Sequence, residues 1–123
     1  IDQNYSMLNK DITTDAAISI LQKNNTTEGY FIDSNKNYLG KINLINLIKS
    51  KSKTAFVLRE KKHIVLSPDQ SILETIQKLS NFVGESIPIV NTENNKMLGI
   101  ISENDLLDAY IKLSNEIKNI EKK

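Results

Sequence analysis

The chain repeats itself at an offset of 58 to 59 residues, and this repeat limits its possible folds more than any other feature. Residues 5–33 align with residues 63–91 without a gap, so that Leu8 corresponds to Leu66. After one inserted residue, "LGKINLINLI" at 39–48 corresponds to "LGIISENDLL" at 98–107. Identity between the copies is low, but their apolar and turn positions coincide. We therefore expect two similar units that share one core.

Each copy is predicted to form the same elements in the order β-α-β-β-α. A short extended segment is followed by a helix, which Thr13 caps in the first copy and Ser71 caps in the second. Glu74, three residues after Ser71, completes a capping-box pattern. A strand, a polar turn, a second strand and a second helix follow. One such unit cannot bury both faces of its small sheet, so the copies are expected to pack together in an α+β fold.

The repeat divides the chain into three segments. We predict the first repeat at residues 1–50, a connector at 51–62, and the second repeat with a C-terminal helix at 63–123. The connector carries four apolar residues, 55–58, between charged flanks. Such residues favour a connector that is anchored to the rest of the protein. The chain does not begin with Met, and we expect it to be part of a larger protein.

The composition argues against several classes of function. The net charge of +1 is untypical of a nucleic-acid-binding protein, and the absence of cysteine rules out disulfides and thiolate metal sites. No apolar run is long enough for a membrane span, and we expect no signal peptide. The only histidine, His63, is expected at the surface or at the rim of a cleft. No nucleophile–base pair, carboxylate dyad, metal cluster or glycine-rich phosphate loop is evident, so we predict neither an enzyme nor a metal site.

The second copy resembles a CBS domain, the regulatory module first named for cystathionine β-synthase. The resemblance rests on "ESIPIV", a polar turn, "LGII" and "SENDLL", and the tandem units resemble a CBS domain pair over essentially the whole chain. It implies two β-α-β-β-α repeats related by pseudo-two-fold symmetry. The segments "FVGESIPIV", "LLDAY" and "YLGKINLINLI" are most similar to the cytoplasmic C-terminal modules of ClC-type chloride channels and transporters.

The resemblance implies a cleft between the repeats that holds an adenine nucleotide. By position, Asp105 would accept hydrogen bonds from the ribose, and Ser102 and Asn104 would lie toward the phosphates. Ile100 would line the base pocket. Residues of the first copy would close the site: Ser6, Thr26 and Thr27. A carboxylate is a strong acceptor for two neighbouring hydroxyls, and a helix N-terminus favours phosphate.

The two copies differ at the positions that would bind the nucleotide. Asn43 and Asn46 replace Ser102 and Asp105, so at most one competent site is expected, the one with Asp105. A purely structural interpretation is equally open. Ser102 can cap a helix with an acid in its first turn, and Asn43 caps nearly as well.

The resemblance implies a regulatory role. The expected function is to sense AMP, ADP or ATP between the repeats and to modulate allosterically a covalently attached transmembrane domain of the chloride channel or transporter type. The module would then lie at the cytoplasmic face of the inner membrane, with no required cofactor and no nucleic-acid partner, and form a homodimer through its CBS helices. The alternative is a ligand-free dimerisation module that fixes the geometry of a larger protein.

Overall fold

The first repeat folds as the sequence predicts. The computed structural model describes residues 2–61, 63–71, 74 and 86–121 of the chain. Its first five elements are strand β1 (Ser6–Leu8), helix α1 (Thr14–Lys23), strands β2 (Glu28–Ile32) and β3 (Tyr38–Asn43), and helix α2 (Leu44–Lys49). Strand β2 lies in the middle of the sheet, parallel to β1 and antiparallel to β3. The order β-α-β-β-α is thus confirmed for the first copy.

The described part of the second repeat has the same plan. It contains strand β4 (Ser86–Val90), antiparallel strand β5 (Met97–Ser102) and helix α3 (Glu103–Glu121). The predicted extended segment at 63–66 makes a single parallel bridge, from Leu66 to Ile89, in place of a strand. The predicted capping by Ser71 is present, since Glu74 N donates to Ser71 Oγ at 3.1 Å. The rest of that predicted helix lies outside the described residues.

Helix α1 begins where its capping residue predicts. Thr13 has an extended backbone, and its side-chain oxygen accepts a hydrogen bond from Ala16 N at 3.1 Å. Asp15 lies in the first turn and Lys23 in the last, both favourable to the helix dipole. The apolar side of the helix is buried through Ala17 and Leu21.

Replacement of Thr13 by alanine is expected to lower the free energy of unfolding by about 1 kcal/mol, because the Ala16 N–H loses its acceptor. Urea unfolding followed by circular dichroism measures this change. Thr92→Ala, at an exposed turn position, is the matched control and should leave the midpoint in place. Equal effects of the two substitutions would contradict a capping role.

The apolar part of the connector packs on the first repeat. Ala55 is fully buried in the same core as Phe31, and the rings of Phe31 and Phe56 meet edge to face at 5.1 Å between centroids. The guanidinium of Arg59 lies 4.1 Å from the centroid of the Phe56 ring. Backbone hydrogen bonds add to this packing, among them Ala55 N to the carbonyl of Ile12. The connector is therefore held against the core of the first repeat.

The contacts between the repeats follow a pseudo-two-fold axis. Tyr38 N donates to the carbonyl of Asn95 at 2.9 Å, and Met97 N donates to the carbonyl of Lys36 at the same distance. In the repeat, Lys36 corresponds to Asn95 and Tyr38 corresponds to Met97, so the two hydrogen bonds are equivalent. Lys36 and Asn95 also share a left-handed backbone conformation, with φ of 63° and 59°. This reciprocity places the axis between the two hairpin turns and agrees with the predicted arrangement.

Candidate functional site

A cavity of about 370 Å³ lies between the two repeats. Its wall is partly built by the N-terminal segment, because Asp2 and Ile100 exchange two backbone hydrogen bonds of 2.8 Å. Its lining comes from the N-terminal segment, the stretch after α1, and strands β2, β4 and β5: Asp2, Asn4, Tyr5, Ser6, Asn25, Thr26, Thr27, Glu28, Tyr30, Ser86 and Ile100. Four of the seven predicted site residues therefore meet at one cavity.

Hydroxyl groups form one polar wall of this cavity. Ser6 is 2% exposed, and its Oγ is 2.9 Å from Thr26 Oγ1 and accepts from Asn24 Nδ2 at 3.1 Å. The chain turns after α1 because Asn25 adopts a φ of 53°, and Thr26 N then donates to the carbonyl of Leu21. Ser6 is thus held within the wall, whereas Thr27 is exposed beside it.

The three remaining predicted residues lie at the start of α3 and are not among the described residues that line the cavity. Ser102 caps α3, since its Oγ accepts from Asp105 N at 3.0 Å. Asn43 caps α2 in the same way, accepting from Asn46 N at 2.9 Å. The structure therefore gives both motifs a capping geometry. Ser102 is nevertheless near the cavity, because its register partner on β4 is the cavity residue Ser86.

The two repeats carry different side chains at the position of the cavity residue Ile100. The repeat offset matches Ile100 with Lys41, whose side chain is 2% exposed. The Lys41 ammonium extends across to the second repeat and donates to the carbonyl of Ser86 at 3.0 Å. Isoleucine is shorter and carries no ammonium group, so Ile100 cannot make the corresponding contact.

An ionic cluster lies at the axis, next to the cavity. Lys41 Nζ is 2.7 Å from Glu28 Oε2, and the Glu28 side chain is 13% exposed. Ser86 donates to the same carboxylate twice, from its backbone N to Oε1 at 3.0 Å and from Oγ to Oε2 at 3.1 Å. Glu28 and Ser86 correspond to each other in the repeat. The first repeat thus holds the start of β4 by charged hydrogen bonds, which are among the stronger ones in proteins.

Two tyrosines provide aromatic surface at the cavity. The rings of Tyr5 and Tyr30 meet edge to face at 5.7 Å between centroids. The Tyr30 hydroxyl is hydrogen-bonded to Ser86 Oγ, and burial is the main cause that raises the pKa of this phenol. Tyr30 therefore stays neutral and joins the repeats.

His63 lies against the first repeat, half-buried, with its Nε2 hydrogen-bonded to the hydroxyl of Tyr38. Their rings meet at 5.7 Å between centroids. Burial lowers the pKa of His63, and the positive charge of Lys41 lowers it further. His63 thus contributes to the contact between repeats.

The folded protein is expected to lose stability as the pH falls from about 7 to about 5. The pKa of His63 is lower in the folded than in the unfolded chain, so the unfolded chain binds the proton first in this range. Urea midpoints measured across this range test the prediction. His63→Gln should flatten the dependence of the urea midpoint on pH. No second histidine contributes to this dependence, because His63 is the only one in the sequence. An unchanged slope in this variant would contradict it.

Sequence reasoning did not find the cluster of Glu28, Lys41 and Ser86. One signal was present, because "LGKI" in the first copy has a lysine where "LGII" has an isoleucine. A charged residue at a position that is apolar in the other copy indicates a buried partner. The identity of that partner depends on how the repeats pack.

The described part of the chain was compared with the requirements of a membrane-spanning helix and of a metal-binding cluster. None of its helices combines the length and the apolar character that a bilayer crossing requires. No group of three or more His, Cys, Asp or Glu side chains among these residues could hold a metal ion.

Residues 58–112 match the sequence model of the CBS domain family. Among solved structures, the chain is similar to the soluble part of a magnesium transporter, with a TM-score of 0.77 and 16% identity over 89% of the chain. It spans only 45% of that protein's chain. No curated protein sequence matches.

Two further structures resemble the chain over most of both lengths. A CBS domain pair/ACT domain protein from Thermotoga maritima has a TM-score of 0.76 and 18% identity, covering 92% of this chain and 93% of its own. The protein CBSX2, solved in complex with AMP, has a TM-score of 0.73 and 17% identity, covering 90% of both chains. The chain therefore has the fold of a CBS domain pair, and its second repeat carries the sequence pattern of the CBS domain family.

Proposed function

We propose that the chain is a regulatory module that binds an adenine nucleotide in the cavity beside Ile100. The observation that carries the proposal is a cavity lined by both repeats, with apolar and aromatic surface on one side and hydroxyls on another. The AMP complex of CBSX2, a protein of the same fold, supports this ligand class. A ligand held between the repeats can shift their relative arrangement if its affinity differs between the arrangements.

Within this proposal, Asp105 accepts hydrogen bonds from the ribose, and Ser102 and Asn104 lie toward the phosphate. Support comes from their place at the start of α3, where N–H groups and the helix dipole favour an anion. Asp105 is exposed, and its backbone N–H is already used by Ser102. The side-chain carboxylate is thus the group available to a ligand.

We further propose that the module is attached to a membrane transport domain and lies at its cytoplasmic face. The sequence resemblance favours a ClC-type chloride channel or transporter, whereas a solved structure of similar fold belongs to a magnesium transporter. The sequence upstream of residue 1 in the complete protein tests for an attached transport domain. A set of apolar spans there would support a transport domain, and their absence would refute it.

A ligand-free dimerisation module is the second candidate. Large apolar side chains are exposed on both second helices, at Ile45 and Ile48 of α2 and at Leu107 and Ile111 of α3. Ile48 and Leu107 correspond in the repeat, so the two helices share one equivalent exposed apolar position. Such faces suit a second copy of the chain.

Calorimetry with AMP, ADP and ATP on the 123-residue chain separates the two functions. Asp105→Ala is expected to weaken nucleotide binding by about tenfold or more, because charged hydrogen bonds to the ribose are lost. Asn46→Ala, at the corresponding position of the first repeat, is the matched control and should bind like the parent. No heat with any of the three nucleotides, together with a dimer that persists, would favour the dimerisation module.

A further inference from the structure

The carboxylate of Glu28 is only partly used by its neighbours. Its Oε2 receives the Lys41 ammonium and the Ser86 hydroxyl. Among the described residues, its Oε1 receives only the backbone N–H of Ser86. A carboxylate oxygen can accept two hydrogen bonds. Since Glu28 lines the cavity and keeps 13% of its side chain exposed, Oε1 has capacity left for a ligand.

The charges around the cavity determine which end of a nucleotide faces Glu28. Asp2 and Glu28 are the acidic residues of its described lining, and their charges oppose a phosphate group there. The Tyr5 ring and the Ile100 side chain, in contrast, offer surface that suits a flat base. These charges and surfaces favour a base beside Glu28 and a phosphate farther from the two carboxylates.

We propose that Glu28 selects the base, with Oε1 accepting a hydrogen bond from the exocyclic amino group of a 6-aminopurine. This inference rests on the proposed nucleotide site. A 6-oxopurine carries a carbonyl oxygen at the same place, so two acceptors would face each other without a proton between them. Sites built to accept a hydrogen bond discriminate strongly against a ligand that lacks the donor.

The first test uses the unchanged 123-residue chain and three ligands in calorimetry: AMP, inosine monophosphate and purine riboside monophosphate. AMP is expected to bind about tenfold or more tightly than the other two, which lack the amino group. Equal affinities for the three ligands would contradict base selection by Glu28 but would not contradict the proposed nucleotide site. No binding of any adenine nucleotide would overturn the proposed function, and this inference with it.

The second test assigns the preference to Glu28. The double variant Glu28→Met, Lys41→Met removes the acceptor without leaving a buried ammonium unpaired, and circular dichroism checks that it folds. Its preference for AMP over inosine monophosphate should fall to within about threefold, whereas the exposed control Glu93→Met should keep the full preference. A folded double variant that keeps the preference would overturn the inference. If the double variant does not fold, the affinities of the parent chain for the three ligands still test whether the site selects the 6-amino group.

Discussion

The variant Lys41→Met is expected to lower the free energy of unfolding by about 3 kcal/mol or more, because it leaves the Glu28 carboxylate without its counterion. Lys41 is 2% exposed at its side chain, so water cannot replace the lost contact at that position. The same ammonium also donates to the carbonyl of Ser86 in the second repeat. Urea unfolding at neutral pH, followed by circular dichroism, measures the change.

The double variant Glu28→Met, Lys41→Met is the control for this prediction. Two apolar side chains of similar length can replace a buried ion pair at little cost, so most of the lost stability should return. The non-additive part of the effects measures the coupling of the two charges. A double variant that loses the sum of both single effects would contradict a direct ion pair between Glu28 and Lys41.

The substitution Phe31→Ala is expected to lower the free energy of unfolding by about 3 to 5 kcal/mol. Phe31 is fully buried, and its removal leaves a cavity between the sheet and the connector, where it meets the ring of Phe56. The expected result is a large decrease in the urea midpoint. The substitution would also release the connector from the first repeat, because Phe56 loses its contact with the Phe31 ring.

The matched control for Phe31→Ala lies in the connector itself. Val57 is 62% exposed, so Val57→Ala removes little buried surface and should change the free energy of unfolding by less than about 0.5 kcal/mol. Limited proteolysis adds a second readout, because a released connector exposes the bond after Arg59 to trypsin. Similar urea midpoints for the two variants would contradict the packing of the connector on Phe31.

Local sequence patterns predicted most of the fold. Thr13, Asn43 and Ser102 cap helices at the positions where their residue type and spacing predicted. Such caps depend on residues three positions apart, so sequence alone is sufficient to predict them. The resemblance to CBS domain pairs implied the pseudo-two-fold arrangement, and the reciprocal bonds between the two hairpin turns agree with it.

The candidate site depends on contacts that the sequence predicts less directly than the fold. Ser6, Thr26, Thr27 and Ile100 line one cavity, and their contacts with a nucleotide stay predictions. The roles of Asp105, Ser102 and Asn104 toward a nucleotide stay predictions, since their described contacts are those of a helix start. Sequence reasoning also left Glu28 without a partner, although Lys41 lies 2.7 Å from it in the fold.

By itself, the sequence determined the repeated unit, the starts of its helices and the difference between Ile100 and Lys41, because these depend on residue type and short-range spacing. Only the tertiary structure decided that Lys41 pairs with Glu28 and reaches Ser86, and that a cavity lies beside Ile100. These contacts join residues from different strands and from both repeats. Their partners are set by how the two units pack against each other, which no local pattern encodes.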